Sequence, residues 1–234
     1  MKKIRVLGII LVLVGGIFGG HAVWELYATK EQTDHSLEKA KALVNQNNHQ
    51  KQNEDTNDES KNKNKETKGE KTTIETSVNE NEKRKDNSKS RTDNLKTKDQ
   101  YKPQTGDVAG LLTIPSINAE LPIVEGTDPN DLAKGVGHYK GSFYPEQNGQ
   151  IVLSGHRDTV FRRAGELRKG DTLRVDTGYG GYDYIIKDMK IVSKDDNSII
   201  TLQHEKEELI LTTCYPFSYI GDAPDRYIIY AYPK

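Results

Sequence analysis

The sequence predicts a mainly β domain, of barrel or sandwich type, carried behind an N-terminal membrane segment and a polar linker. Three observations predict it. Apolar side chains make up only 33% of the 234 residues, too few for one core spanning the whole chain, so appendages are expected. From position 104 onward those side chains gather in short runs rich in Ile, Val, Thr and Tyr, broken by Gly, Pro, Asn and Asp. That is the chemistry of strands and turns. Finally, a long uncharged run stands at the extreme N-terminus behind Lys2, Lys3 and Arg5.

In chain order, residues 1–27 read as a membrane anchor. The run from Val6 to Gly20 has no charged side chain and stays mostly apolar through Trp24, close to the ~20 residues a helix needs to cross the hydrocarbon layer. Basic residues precede it and Glu25 follows, an asymmetry that puts the N-terminus in the cytoplasm and the rest of the chain outside. Cleavage as a signal peptide near Gly20 and Ala22 is the rival reading. Over 28–44, Leu37, Ala40, Leu43 and Val44 recur at helical spacing behind Thr33 or Asp34 as caps, which predicts a short helix. Residues 45–103 are dominated by Lys, Glu, Asn, Asp, Ser and Thr. A segment so poor in aliphatic side chains cannot build a core and is expected to be a disordered spacer, with a reach on the order of 40 Å as a flexible coil.

The domain of 104–234 contains seven strand-like runs: Leu111 to Ile114, Leu121 to Val124, Ile151 to Leu153, Thr172 to Val175, Tyr182 to Val192, Leu209 to Thr213 and Tyr227 to Tyr232. Short helices are predicted from Pro129 to Lys134 behind Asp128, and from Phe161 to Leu167 behind Asp158 or Thr159.

The 34 basic and 35 acidic side chains leave a net charge of -1, so no overall field points to nucleic acid. Cys214 is the only cysteine. It excludes an intramolecular disulfide, and a lone thiol in an exported chain is either buried or has a task. Cys214 ends the run Glu-Leu-Ile-Leu-Thr-Thr, His156 ends Gln-Ile-Val-Leu-Ser-Gly before an Arg157-Asp158 turn, and Arg226 opens the last strand. Strand ends hold reactive side chains firmly, and a closed sheet can bring distant ones together. Each residue alone also has a plain structural reading: a small buried hydrophobe, a solvated turn residue, and a surface ion pair with Asp222 or Asp225. Asp158 either orients His156 or caps the predicted Phe161 helix. His138 reads as a packed or loop residue, and His204 as solvated surface. No close-spaced ligand pair suggests zinc and no Asp-x-Asp-x-Asp-Gly loop suggests calcium, so no metal is expected.

Leu153-Ser154-Gly155-His156-Arg157-Asp158 and Leu211-Thr212-Thr213-Cys214, with Arg226 twelve residues on, resemble the sortase family of Gram-positive envelope transpeptidases. The resemblance extends over most of the chain from Gly106, including Gly135-Val136-Gly137-His138-Tyr139 and Lys169-Gly170-Asp171. Leu-Thr-Thr-Cys-Tyr-Pro-Phe and the N-terminal anchor look most like class D. The family's Thr-Leu-x-Thr-Cys signature is altered at its first position, where Ile210 stands.

The resemblance implies a closed eight-stranded β-barrel and a two-step reaction without a cofactor. Cys214 would attack the Thr carbonyl of a Leu-Pro-x-Thr (LPxT) sorting signal on a secreted surface protein, giving a thioacyl enzyme. His156 would act as general acid and base, and Arg226 would stabilise the oxyanion. The acceptor would be an amine of peptidoglycan or its lipid-linked precursor. Two other functions use the same features: a thiol peptidase that hydrolyses the same motif, and a non-catalytic envelope module that binds a partner on a stalk.

Overall fold

The computed structural model describes residues 24, 28–46, 100–219 and 221–234. Its strands are β1 (Val108–Ile114), β2 (Ala119–Glu125), β3 (Val136–His138), β4 (Gln150–Gly155), β5 (Thr172–Asp176), β6 (Gly181–Ser193), β7 (Glu208–Tyr215) and β8 (Asp225–Pro233). They close into a barrel in the order β1-β2-β3-β4-β7-β8-β6-β5. The β2–β3 and β4–β7 pairs are parallel and the others antiparallel.

All seven sequence-predicted runs lie in these strands. The eighth, β3, spans only Val136–His138 and has too few side chains to show an alternation. Backbone pairing to both neighbours makes it a strand: Ile123 faces Val136 and Gly137 faces Ser154. A Cβ on Gly137 would stand 2.4 Å from the Gly126 carbonyl oxygen, so only glycine permits this close approach.

Period-two alternation divides the barrel into an inside and an outside. Ile151 and Leu153 of β4, Leu209 and Leu211 of β7, and Ile229 and Ala231 of β8 point into the main core with Leu112, Ile114, Phe161, Leu173 and Tyr184. Each fully buried Leu or Ile contributes about 1.5–3 kcal/mol of transfer free energy. Their strand neighbours Val152, Ile210 and Ile228 form a second cluster on the opposite face, covered by Tyr139, Val192, Ile199, Ile200 and Tyr230. Ile210 therefore has an apolar neighbourhood that suits it better than threonine.

Helix α1 occupies residues 28–46. The sequence places its start at Thr33 or Asp34, but both lie inside it. Thr33 is accommodated because its hydroxyl is shared between Thr29 O, at 3.0 Å, and Ala133 O, at 3.1 Å. The first of these is the back-bond by which threonine tolerates a helix interior. Ser36 and Ala40 are buried and Thr29, Thr33, Leu37, Leu43 and Val44 half-buried, an i, i+3, i+4 stripe that lies on the barrel. Lys41 also reaches Glu120 at 2.6 Å. Tertiary burial is what lets a helix of this length persist.

Leu43 and Tyr101 both approach Gly178, so the described residues on either side of the polar segment lie near one another. The expected linker is shorter than 45–103 at both ends, because residues 45–46 continue α1 and Tyr101 is buried in the main core; its residues 47–99, and the expected membrane span apart from Trp24, lie outside the described residues. Among the described residues no helix is long and apolar enough to cross a membrane.

The first predicted domain helix is observed as α2 (Pro129–Leu132), with Asp128 at its N-cap position but no side-chain cap bond. The second is not an α-helix. Residues 157–163 form turns followed by a 3-10 turn at Ala164–Glu166. Phe161 is fully buried in the main core, and anchoring this ring while Phe161 N donates to His156 O at 3.0 Å closes a turn wider than the i→i−4 turn of an α-helix.

His138 is a packed residue, 1% exposed. Its Nδ1 lies 2.7 Å from Glu125 Oε2, and Tyr144 donates to the same oxygen at 2.6 Å. The Tyr144 ring stacks on the imidazole with centroids 4.0 Å apart. Burial pushes the Glu125 carboxyl upward, but the His138 hydrogen bond, the His138 charge and the Tyr144 hydroxyl outweigh it and hold the group below its ordinary value. A carboxylate depressed in the folded state contributes stability above its unfolded pKa and loses it as pH falls through the folded one. Urea midpoints of the wild type should therefore drop from about pH 5 toward pH 3, and Glu125→Gln should flatten that slope. Equal slopes in the two proteins would contradict the assignment.

Candidate active site

Parallel pairing of β4 and β7 puts Gly155 opposite Thr213, so His156, just past the end of β4, stands in step with Cys214, the next residue of β7. Antiparallel pairing of β7 and β8 puts Cys214 directly opposite Arg226. The same alternation that turns Leu211 and Thr213 inward turns Thr212 and Cys214 outward, on the face that carries Val152, Ile210 and Ile228. Register alone thus gathers three residues that are far apart in sequence.

Local bonds fix this corner. Buried Thr213 donates through Oγ1 to Gly155 O at 2.7 Å, locking the end of β4 to the end of β7. A Cβ at Gly155 would stand 2.6 Å from Val160 and 2.7 Å from Phe161, so glycine lets the His156 turn fold back over the strand. His156 is exposed, and Cys214 and Arg226 are half-buried. Arg226 donates through Nη1 to Ala223 O at 3.2 Å and Asp225 O at 3.0 Å. Among the described residues it has no carboxylate within ion-pair distance, while Asp222 is held by Lys194 at 2.7 Å. The surface ion-pair reading of Arg226 is therefore set aside. The Asp158 carboxylate hydrogen-bonds neither His156 nor the following turn among the described residues; Arg162 Nε donates to the Asp158 backbone carbonyl instead.

Two supports escaped the sequence reading. Arg157 donates through Nη2 to Tyr219 O at 2.6 Å and Gly221 O at 2.9 Å, tying the His156 turn to the loop between β7 and β8. Gln150, 1% exposed, accepts at Oε1 from the Thr201 and Leu202 amides. Its Nε2 donates to Ile199 O and Glu208 Oε2. All four partners pair one amide group, so the loop between β6 and β7 is pinned where Ile199 and Ile200 cover the outer apolar cluster. Neither residue has a sequence signal, because both act through backbone atoms of distant loops.

On the other side of Cys214, Tyr215, Phe217 and Tyr227 form an aromatic cluster with centroids 5.3–6.0 Å apart. His204 is exposed but not merely solvated: it stacks on Phe143 and its Nε2 lies 2.9 Å from Gln147 O. Among the described residues no group of three His, Cys, Asp or Glu side chains could hold a metal ion.

A thiol, an imidazole and a guanidinium at one rim of a closed barrel are the equipment of thiol-dependent acyl transfer. Residues 112–234 match the Sortase domain, and the chain belongs to the sortase family, whose members are cysteine transpeptidases acting on sorting motifs. It is 71% identical over 142 residues to Sortase D of Bacillus subtilis strain 168, covering 61% of this chain and 72% of that one. Among solved structures it is similar to a Clostridium perfringens sortase D5 transpeptidase, with TM-score 0.52, 26% identity, and 57% and 82% of the two chains covered. It is also similar to Clostridium perfringens sortase C with the C-terminal cell wall sorting motif, with TM-score 0.51, 30% identity, and 56% and 72% covered.

Proposed function

We propose that Cys214, His156 and Arg226 carry out transpeptidation of an LPxT-type sorting signal, with Cys214 as nucleophile. The observation that carries this reading is the strand register that sets the only cysteine opposite Arg226 and in step with His156. The sorting signal would lie along the outer face toward Cys214, its apolar residues against the half-buried Ile199 and Ile200 that cover the outer cluster. The sulfur attacks the Thr carbonyl carbon, and the C–N bond to the next residue breaks as His156 protonates the departing amine. Arg226 donates hydrogen bonds to the carbonyl oxygen while it carries negative charge. In the second half His156 removes a proton from the incoming amine, which attacks the thioester and releases the Cys214 thiol. The acceptor is an amine of peptidoglycan or its lipid-linked precursor. The apolar run before α1 anchors the chain in the cell membrane, and the catalytic domain faces outward.

One experiment tests chemistry and orientation together. Intact cells producing the full-length chain receive a membrane-impermeant labelled Leu-Pro-x-Thr peptide and a peptide amine. Labelled transfer product is expected, rising with amine concentration. Free acid alone at every amine concentration would overturn transfer, and processing only after lysis would overturn the outward orientation.

A further inference from the structure

Helix α1 and the His156 turn are two walls of one cleft of about 870 Å³. Thr29, Lys30 and Asp34 border it from the helix, and His156, Asp158 and Arg162 from the turn. Neither Cys214 nor Arg226 borders it, nor does any residue of the loop between β6 and β7. Of the three proposed reacting groups, His156 alone belongs both to the strand-end corner and to this cleft.

We infer that the cleft admits the amine of the second substrate, so that the N-terminal helix forms part of the acceptor site; this rests on the transpeptidation reading above. An acyl donor lying along the outer apolar face occupies the approach to Cys214 from the loop between β6 and β7. The acceptor has to reach the thioester from another side, and its N–H has to meet the group that takes its proton. The exposed imidazole in the cleft wall meets the second condition, and the pairing of Gly155 with Thr213, which sets His156 in step with Cys214, lets the cleft meet the first. Its charge pattern indicates the kind of acceptor. Asp34 and Asp158 have no ion-pair partner among the described residues, and they attract an ammonium. Lys30 and Arg162 border the same space, so the cleft suits a peptide that carries both an amine and carboxylates over a bare alkylamine. Docking of the helix keeps this wall in place through Ser36 and Ala40, both buried, and through the Thr33 contact with Ala133.

The test uses detergent-solubilised full-length protein, one Leu-Pro-x-Thr peptide, and two competing nucleophiles. A short peptide bearing an amine and carboxylates needs the cleft, whereas hydroxylamine is too small to touch its walls. In Asp34→Lys the ratio of peptide transfer to hydroxylamine transfer should fall about five- to tenfold, the size expected for reversing one partly solvated charge. Ala40→Arg, which pries the helix from the barrel, should lower the same ratio. Ratios equal to the wild type in both variants would overturn the inference. If Ala40→Arg does not fold, the exposed Asp34 substitution decides alone. A wild-type protein that transfers to neither nucleophile would defeat the transpeptidation reading, a result distinct from a failed acceptor site.

Discussion

Cys214→Ala is expected to lower turnover of a sorting-signal peptide by at least about 10⁴-fold, the scale on which removing a covalent nucleophile acts. In the proposed mechanism both halves of the reaction pass through this sulfur, so hydrolysis and amine transfer should vanish together. The fold should survive. Cys214 lies on the outer face at the end of β7 and is half-buried, while the adjoining inward positions are held by Leu211 and Thr213. Loss of one partly exposed sulfur removes little buried area. Mass spectrometry of the intact protein mixed with peptide should show an acyl adduct on the wild type and none on the variant. An adduct on Cys214→Ala, or residual turnover within tenfold of the wild type, would remove Cys214 from the reaction. No turnover by either protein, with peptide binding kept in both, would favour a binding module in which the thiol has no chemical part.

The strands were legible because their signal is local. Ile, Val and Tyr in short runs between Gly, Pro and Asp report a pleated, half-buried backbone whatever they pair with. The three site residues were legible as strand ends, but whether they meet depends on register, and register is a property of pairs of strands. The closing of the sheet on eight strands came from family resemblance, since β3 carries only Val136, Gly137 and His138 and shows no period. Positions such as Gln150 and Arg157 were opaque for a different reason. Each spends its side chain on backbone groups of loops some 50 to 60 residues away, and backbone acceptors leave no trace in residue identity. Helix α1 lay between these cases. Its apolar spacing was visible, yet its true start was hidden because Thr33, a good cap in isolation, found a carbonyl of the barrel instead.

Arg226→Lys is expected to reduce kcat by about 10²- to 10³-fold, the usual cost of losing an oxyanion donor, with a smaller change in KM. The expectation follows from how the guanidinium is held. Nη1 is already committed to Ala223 O and Asp225 O, which fixes the plane of the group and leaves Nη2 and Nε to aim elsewhere. Because β8 pairs Arg226 with Cys214, the expected aim is along the rim where the proposed thioester would form. A lysine has one nitrogen to serve both the loop carbonyls and the oxyanion, and it cannot present the planar fork. A positive charge remains in the variant, so charge alone predicts nearly full activity and geometry predicts the loss. Comparing Arg226→Lys with Arg226→Ala separates the two: similar losses mean that the fork matters, whereas a lysine variant close to the wild type means that only charge does. The kinetic split adds a second reading. A donor that acts on the developing oxyanion depresses kcat and kcat/KM alike, whereas a residue that binds the ground-state peptide raises KM at constant kcat. A pure KM effect in Arg226→Lys would therefore move Arg226 from stabilising the tetrahedral intermediate to gripping the sorting signal.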